Sequence, residues 1–334
     1  MSGSIADGRG TAMGRILARR LAQIVPLLLG VIVLNFALIQ LAPGTFLDVM
    51  TAEQQVSDPA LIERLRVLYG MDQPAIVQLG KYIWSVLTLD FGFSYRQNAP
   101  VLDVILQHLP ATVILMLASI AIALVVGLTA GVVASVKVNT IWDNLISLGA
   151  VFFFAAPTFW LGIMLTVLFA VKLGWLPVGG MRTIGSSGGP ISDALDVGRH
   201  LLLPAVALGL FYAAMYARVM RAAMLEVLRM EFVRTARAKG LSGAAVVVRH
   251  VLRNALLPVV TLLGLQLGTV VGGSVVIEAV FSWPGIGSLM LDSVMSRNYP
   301  VVLGVMVLSS LVVALANAAV DLAYLKLDPR IRVR

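Results

Sequence analysis

The sequence predicts an all-α integral membrane protein with six transmembrane helices and a small helical insertion outside the membrane after the first. Of its 334 residues 59% are hydrophobic and only 13% are charged, about half the charged share of a soluble domain. One water-soluble core could not hide so many apolar side chains, whereas in a bilayer they can face lipid. Long apolar stretches supply the six helices: 22–42, 111–136, 145–171, 201–217, 255–277 and 300–320.

The first apolar stretch predicts a membrane anchor. It follows Arg15, Arg19 and Arg20, as the apolar region of a signal peptide would. It is longer than the roughly 7–15 apolar residues of such a region, however, and no small-x-small cleavage pattern stands out after it. Residues 1–44 are therefore predicted to form a cytoplasmic N-terminus and the first transmembrane helix.

Residues 45–108 predict a helical cap outside the membrane. Asp58 can start a helix that Gly70 stops, and Pro74 opens a second helical run that ends at Leu87. The apolar residues of the first run recur at helical spacing: Leu61, Ile62, Leu65 and Leu68.

The distribution of basic residues predicts the orientation. Seventeen of the 25 Lys and Arg residues fall in segments that share one side when the N-terminus is inside. Such a bias marks the cytoplasmic face, so both termini are predicted to be cytoplasmic. Residues 109–325 then form a core of five transmembrane helices, and 326–334 form a tail. The net charge is +8, and the basic residues that cause it cluster between apolar runs. This arrangement indicates a membrane protein in contact with lipid and not a nucleic-acid-binding protein.

The cytoplasmic loop 226–258 predicts two helices joined at a corner. No helix breaker occurs up to Lys239, and Gly240 then allows left-handed backbone angles that cost other residues about 1–2 kcal/mol. Ser242 can cap a second helix that runs toward Asn254.

This loop is a candidate docking element for a partner protein. Small residues would let a partner approach closely, and the basic ones could pair with its acids. An idle loop carrying positive-inside charge is an equally good interpretation of the residues alone. The candidate residues are Glu231, Arg234, Thr235, Ala236, Arg237, Ala238, Gly240, Leu241 and Ser242.

The segment EFVRTARAKGLSGAAVVVRHVLRNALLP, residues 231–258, resembles the EAA loop of permease subunits in bacterial ABC importers. The likeness is to the first, or B-type, permease of the dipeptide, oligopeptide and nickel transporters. Further stretches agree in chain order: LAPG (41–44), LYGMDQP (68–74), LDFGFSY (89–95), HLPAT (108–112), FSWPGIG (281–287) and VDLAYLKLDPRIR (320–332).

The resemblance implies a type I ABC importer transmembrane domain whose loop docks in a cytoplasmic ATPase. It also implies a homologous C-type second permease, two ABC ATPase subunits and an extracytoplasmic substrate-binding protein, in a bacterial inner membrane. Ala236 and Gly240 match the motif, whereas Arg234 and Thr235 interrupt its Glu-Ala-Ala triplet. Arg253 stands where many members have proline, a departure common in B-type subunits.

The sequence predicts no energy source and no enzyme activity within the chain. None of its five lysines is followed by Ser or Thr, so the Gly-rich phosphate loop of ATPases is missing. No charged residue lies centrally in a predicted span, where ion-coupled carriers usually keep one. ATP and Mg are accordingly expected in the partner ATPases, and no cofactor in this chain. His108, His200 and His250 are too far apart in sequence to predict a metal site.

Polar residues in or near the spans are candidates for a gate or pore. Glu278 could line a gate or meet a binding protein, although an interfacial carboxylate is the simpler interpretation. Helix–helix hydrogen bonding explains the amides equally well. The candidates are Glu278, Trp283, Pro284, Asn35, Gln266 and Asn317.

Three alternatives remain open at this point. A stand-alone ion-coupled transporter or a membrane enzyme would need no ATPase partner. Import of a nickel chelate or glutathione would use the same ABC mechanism as peptide import. The resemblance implies an ABC importer of dipeptides and oligopeptides and leaves a nickel chelate or glutathione open as the cargo.

Overall fold

The computed structural model describes residues 4–41, 63–64, 67, 72–94, 96–185, 188–267 and 274–327. Most of these residues are helical, which confirms the predicted all-α class. The chain divides into two compact units. One comprises Met1–Leu109 with Leu289–Arg334, and the other comprises Pro110–Ser288.

The first elements of the chain combine long helices with a short hairpin. In order they are α1 (Ser4–Leu41), α2 (Ala75–Leu87), β1 (Phe93–Ser94), β2 (Ala99–Pro100) and α3 (Val101–Val136). The strands pair antiparallel, with Phe93 opposite Pro100 and Ser94 opposite Ala99. The predicted start of a helix after Pro74 and its end at Leu87 are confirmed by α2. The predicted cap at Asp58 and stop at Gly70 lie outside the described residues.

The remaining described residues are helical apart from turns and an irregular segment at 173–185. Its elements are α4 (Ile141–Ala155), α5 (Thr158–Leu165) with a π-helical turn (Thr166–Lys172), α6 (Pro190–Leu228), α7 (Glu231–Ala238), α8 (Gly243–Val246) with a π-helical turn (Val247–Val251), α9 (Leu252–Leu267), α10 (Val275–Val280), α11 (Ile286–Met295) and α12 (Tyr299–Leu327).

In the first unit, α1 packs on α12 and α2. Ile32, Val86 and Val307 form the buried apolar contact between them. The amide of Asn298 donates hydrogen bonds to Ser94 Oγ at 2.9 Å and Gln97 Oε1 at 2.8 Å, which ties the start of α12 to the hairpin.

In the second unit, α6 is the central helix and contacts α4, α5 and α9. Its contact with α3 is close because Gly127 and Gly131 have no side chain. A Cβ at Gly127 would lie 2.7 Å from the carbonyl oxygen of Ala213, and one at Gly131 would lie 2.7 Å from Met220 Cβ. Glycines four residues apart commonly bring membrane helices into such contact.

Four helical segments are long and apolar enough to cross a membrane: Val101–Val136, Pro190–Leu228, Gly243–Gln266 and Tyr299–Ala318. The pair Ile141–Ala155 and Thr158–Lys172 makes a fifth if it forms one span bent by 105°. Within α1, Ala22–Leu38 is apolar but shorter. The total of six transmembrane helices therefore stays a prediction.

Several helices extend beyond, or break within, the bounds predicted from the sequence. The second long helix begins at Val101 rather than 111, and it accommodates Pro110 in its interior. The third predicted span breaks before Pro157, because proline forces the preceding Ala156 into an extended conformation (ψ 133°). The second helix of the cytoplasmic loop does not end near Asn254, because it continues through the π-helical turn Val247–Val251 into α9, which contains Asn254.

Candidate functional site

The predicted docking loop begins at the end of α6 and contains α7. Only two turn residues separate these helices. Val233 and Ala236 of α7 are buried against the core of the second unit. Glu231, Arg234 and Arg237 are exposed. The short helix therefore lies on the body of the protein by a narrow apolar face and offers charged side chains to its surroundings.

Ala236 was predicted to lie on the surface that a partner approaches, but it is buried. It is only 6% exposed, because it follows Val233 by three residues and so shares the inward face of the helix. Ala238 and Gly240 are exposed, as predicted. Thr235 is also exposed, and its hydroxyl donates to the carbonyl of Glu231 at 3.2 Å.

The predicted corner at Gly240 is confirmed. Gly240 has a φ of +80°, and no atom lies within 4 Å of where its Cβ would stand. Its N–H donates to the carbonyl of Arg237 at 3.0 Å, as at many helix ends that close on a left-handed glycine. Glycine is therefore required here for its backbone angle and not for space.

The predicted cap at Ser242 is also confirmed. Its Oγ accepts a hydrogen bond from the N–H of Ala245 at 3.3 Å. Leu241, between corner and cap, is half-buried and packs against the apolar core. Residues 229–242, hereafter the coupling segment, thus form a bent element with both helix ends satisfied.

A groove of about 860 Å³ lies beside the coupling segment. The turn after α3 forms one wall, and α6 with the start of α8 forms the others. Arg229 and Arg237 bring two positive charges to a lining that is otherwise apolar or neutral. The lining residues are Ser135, Val136, Val138, Asn139, Leu225, Leu228, Arg229, Arg237, Gly243, Ala244, Val247 and Val248.

Glu278, a predicted gate residue, is fully buried. Its Oε1 accepts hydrogen bonds from the hydroxyls of Thr112 at 2.8 Å and Ser274 at 2.6 Å. Its Oε2 accepts one from the backbone N–H of Ser288 at 2.9 Å. Thr112 Oγ1 also accepts from the N–H of Ile286 at 2.8 Å. The carboxylate thus joins α3, α10 and the start of α11.

Two glycines of the FSWPGIG segment make room for this carboxylate. A Cβ at Gly285 would lie 2.4 Å from the Cδ atom of Glu278, and one at Gly287 would lie 2.9 Å from its Oε2. Glu278 is therefore held within the protein, and its assignment to a gate stays a prediction. Residues 274–288, hereafter the carboxylate turn, surround it together with Thr112 of α3.

Trp283 and Pro284 are neighbours in the carboxylate turn but differ in exposure. Trp283 is fully buried, and its indole N–H donates to the carbonyl of Ala111 at 2.8 Å. Pro284 is exposed. Of these two candidates, only Pro284 could meet another molecule without a rearrangement.

The three amide candidates are divided between the two units. Gln266, in the second unit, is buried and accepts a hydrogen bond from the hydroxyl of Tyr216. In the first unit, Asn35 is fully buried, whereas Asn317 is exposed on α12. Their assignment to a pore stays a prediction.

The sequence analysis missed the ion pair between Asp143 and Arg221. Arg221 Nε lies 2.7 Å from Asp143 Oδ1, and Asp143 is buried at the start of α4. An acid directly before an apolar run was the available signal. Its partner, 78 residues later, could not be chosen among the many arginines of the inner segments.

The described residues include no cluster of three or more His, Cys, Asp or Glu that could hold a metal ion.

Comparisons with known proteins identify related sequences over most of the chain. Residues 123–333 match the family described as binding-protein-dependent transport system inner membrane component. Residues 13–116 match the corresponding N-terminal family of membrane components.

The similar curated proteins are peptide permeases. The di/tripeptide transport system permease protein DppB of Pseudomonas aeruginosa is 42% identical, covering 95% of this chain and 98% of the relative. The dipeptide permease DppB of Alkalihalophilus pseudofirmus is 37% identical over 94% and 98%. The oligopeptide permease AppB of Bacillus subtilis is 37% identical over 96% and 99%.

Among solved structures, the chain is similar to the MetNI methionine ABC transporter in inward facing conformations. The TM-score is 0.55 at 22% identity, and the match covers 67% of this chain and 96% of that chain. A second crystal form of the same transporter gives a TM-score of 0.52. The likeness confirms the predicted fold, that of an ABC importer transmembrane domain.

Proposed function

This chain belongs to the family of binding-protein-dependent transport system inner membrane components, and from that premise we propose that it is the permease subunit of an ATP-driven importer of dipeptides and oligopeptides. The main support is its 42% identity, over nearly its full length, to a di/tripeptide permease. Nickel chelates and glutathione are weaker candidates because the relatives named above are peptide permeases.

The coupling segment is the proposed contact with an ATPase. Its exposed basic residues, Arg234, Arg237 and Lys239, can pair with acids of a partner, and its buried Val233 keeps it attached to this chain. A displacement of the segment would therefore be transmitted toward α6 through packed side chains and not through a flexible loop. The segment lies on the predicted cytoplasmic side, where both termini are also proposed to be.

The complete importer needs partners that supply energy and substrate. We propose two ABC ATPase subunits that bind ATP and Mg, a homologous second permease that completes the pathway, and an extracytoplasmic binding protein that delivers peptide. In this arrangement ATP-driven closure of the ATPases moves the coupling segment and opens the pathway outward. The chain itself would be no enzyme, and Pro284 is the exposed candidate for an outer contact.

Reconstitution tests the proposal. The chain, purified with its co-assembling subunits, would be placed in proteoliposomes with the binding protein and radiolabelled dialanine. We expect uptake only when ATP and Mg are present on the ATPase side. Uptake driven by an ion gradient in vesicles that contain this chain alone would contradict it and support a stand-alone carrier.

A further inference from the structure

We propose that Asp143 and Arg221 are positioning residues that fix the start of α4 to the end of α6 and so set the place of the coupling segment. The proposal rests on the proposed function, since it concerns how motion of that segment reaches the membrane helices. It assigns a role to two residues that lie outside the predicted docking loop and outside the carboxylate turn.

The ion pair has the geometry of a strong, directional contact. Arg221 donates from Nε to Asp143 Oδ1 at 2.7 Å and from Nη2 to Oδ2 at 2.8 Å. Two parallel bonds between a guanidinium and a carboxylate fix orientation as well as distance. The Asp143 side chain is 4% exposed and that of Arg221 is 32% exposed. The carboxylate is therefore shielded from water, whereas the guanidinium is partly exposed.

The same carboxylate also shapes the turn between α3 and α4. Its Oδ2 accepts a hydrogen bond from the backbone N–H of Asn139 at 3.0 Å. Asn139 has a φ of +60°, a left-handed conformation that asparagine adopts more often than most residues other than glycine. Asn139 also lines the groove beside the coupling segment, together with Arg237 of α7. Asp143 thus connects α6 to the opposite wall of that groove.

The position of Arg221 along α6 places the pair close to the coupling segment. Arg221 lies seven residues, about two helical turns, before the end of α6 at Leu228. The coupling segment follows directly and packs back through Val233. Only the two turn residues 229–230 join α6 to α7, so a displacement of α7 acts on this end of α6 through a short connection. With the ion pair intact, α4 and the α3–α4 turn must follow it.

A positioning role predicts a different result from a purely stabilising one. Removing a single partner leaves a buried charge without compensation and destabilises the protein for that reason alone. In Asp143→Asn with Arg221→Gln, no such charge remains, yet the two-bond contact is lost. Arg221→Lys keeps the charge but cannot form two parallel bonds. Asp193→Asn is the matched control, because Asp193 also lies in the first turn of a long apolar helix.

The experiment measures ATP hydrolysed per dialanine imported by the reconstituted importer. We expect this ratio to rise at least fivefold in the neutral double variant and at least twofold in Arg221→Lys, with assembly as in wild type. Asp193→Asn should keep the wild-type ratio. Unchanged ratios in both variants would overturn the proposal. So would loss of assembly in both, because the pair would then hold the fold and not the coupling. Lack of ATP-driven uptake in wild type would instead reject the proposed function.

Discussion

The coupling segment and the carboxylate turn are both bends that depend on glycine, but they use it for opposite reasons. Gly240 supplies a left-handed backbone angle in open surroundings, with nothing within 4 Å of its absent Cβ. Gly285 supplies space, because a Cβ there would lie 2.4 Å from the Glu278 carboxyl carbon. The first bend is exposed to other molecules, whereas the second is closed around a group of its own chain.

This difference indicates separate tasks. An exposed bend whose helix start is capped by a hydrogen bond can bind a partner protein without unfolding. A buried carboxylate with three donors holds distant segments together and tolerates little change. Substitutions should therefore affect stability strongly at the carboxylate turn and weakly at the coupling segment. Four variants test this, in order of the expected loss in free energy of unfolding.

Glu278→Ala should have the largest effect. It leaves the hydroxyls of Thr112 and Ser274 and the N–H of Ser288 without their acceptor, and each unsatisfied buried group costs about 1–3 kcal/mol. We expect a loss of about 4 kcal/mol, measured by thermal unfolding in detergent. Glu231→Ala, at an exposed glutamate, is the control. An unchanged melting temperature together with altered peptide uptake would instead support a role for Glu278 in a gate.

Gly285→Ala should follow. The added methyl group would stand 2.4 Å from the Glu278 carboxyl group and must displace it. Overpacking of this kind costs about 1–3 kcal/mol. The loss should be visible as a lower melting temperature and faster proteolysis. Gly149→Ala, where no atom lies within 4 Å of the added Cβ, should not destabilise the protein. Equal melting temperatures for the two variants would contradict the crowding at Gly285.

Gly240→Val should lower the free energy of unfolding less than Gly285→Ala does, but it should impair transport more. The left-handed angle costs a residue with a Cβ about 1–2 kcal/mol, so the corner would change direction while membrane insertion stays intact. We expect ATPase stimulation to become uncoupled from peptide transport in the reconstituted importer. Gly243→Ala, three residues later, needs no left-handed angle and serves as the control. Transport at the wild-type level in Gly240→Val would contradict the corner.

Ser242→Ala should have the smallest effect. It removes a side-chain cap whose bond to the Ala245 N–H is long, 3.3 Å. Loss of such a cap costs about 0.5–2 kcal/mol, and the lower end applies to an exposed position. Ser242→Asp keeps an acceptor and should restore the wild-type melting temperature. A loss as large as that of Glu278→Ala would mean that the two bends do not differ in kind.

Local signals made the coupling segment predictable. Gly240 and Ser242 act on residues within three positions of themselves, so their roles can be deduced from neighbours in the sequence. The inward face of α7 was harder, because burial of Ala236 depends on the core against which the helix packs. The helix pattern alone left open which of its small residues would remain accessible.

Long-range contacts could not be predicted. Thr112 is 166 residues from Glu278, and no spacing rule connects a threonine after HLP with a glutamate before FSWPGIG. The break before Pro157 had a local signal, but apolar residues on both sides masked it. Fold class was predictable because apolar length decides it without any knowledge of partners.

The π-helical turn Val247–Val251 has a consequence for everything that follows it. Each residue of an α-helix turns the chain by about 100°, so a wide turn that holds one additional residue shifts the angular phase of all later side chains. Tyr216 meets Gln266 on α9 in this shifted phase. Deletion of Val248 would keep α8 and α9 helical but rotate α9 by about 100° about its axis. Gln266 would then point away from the hydroxyl of Tyr216.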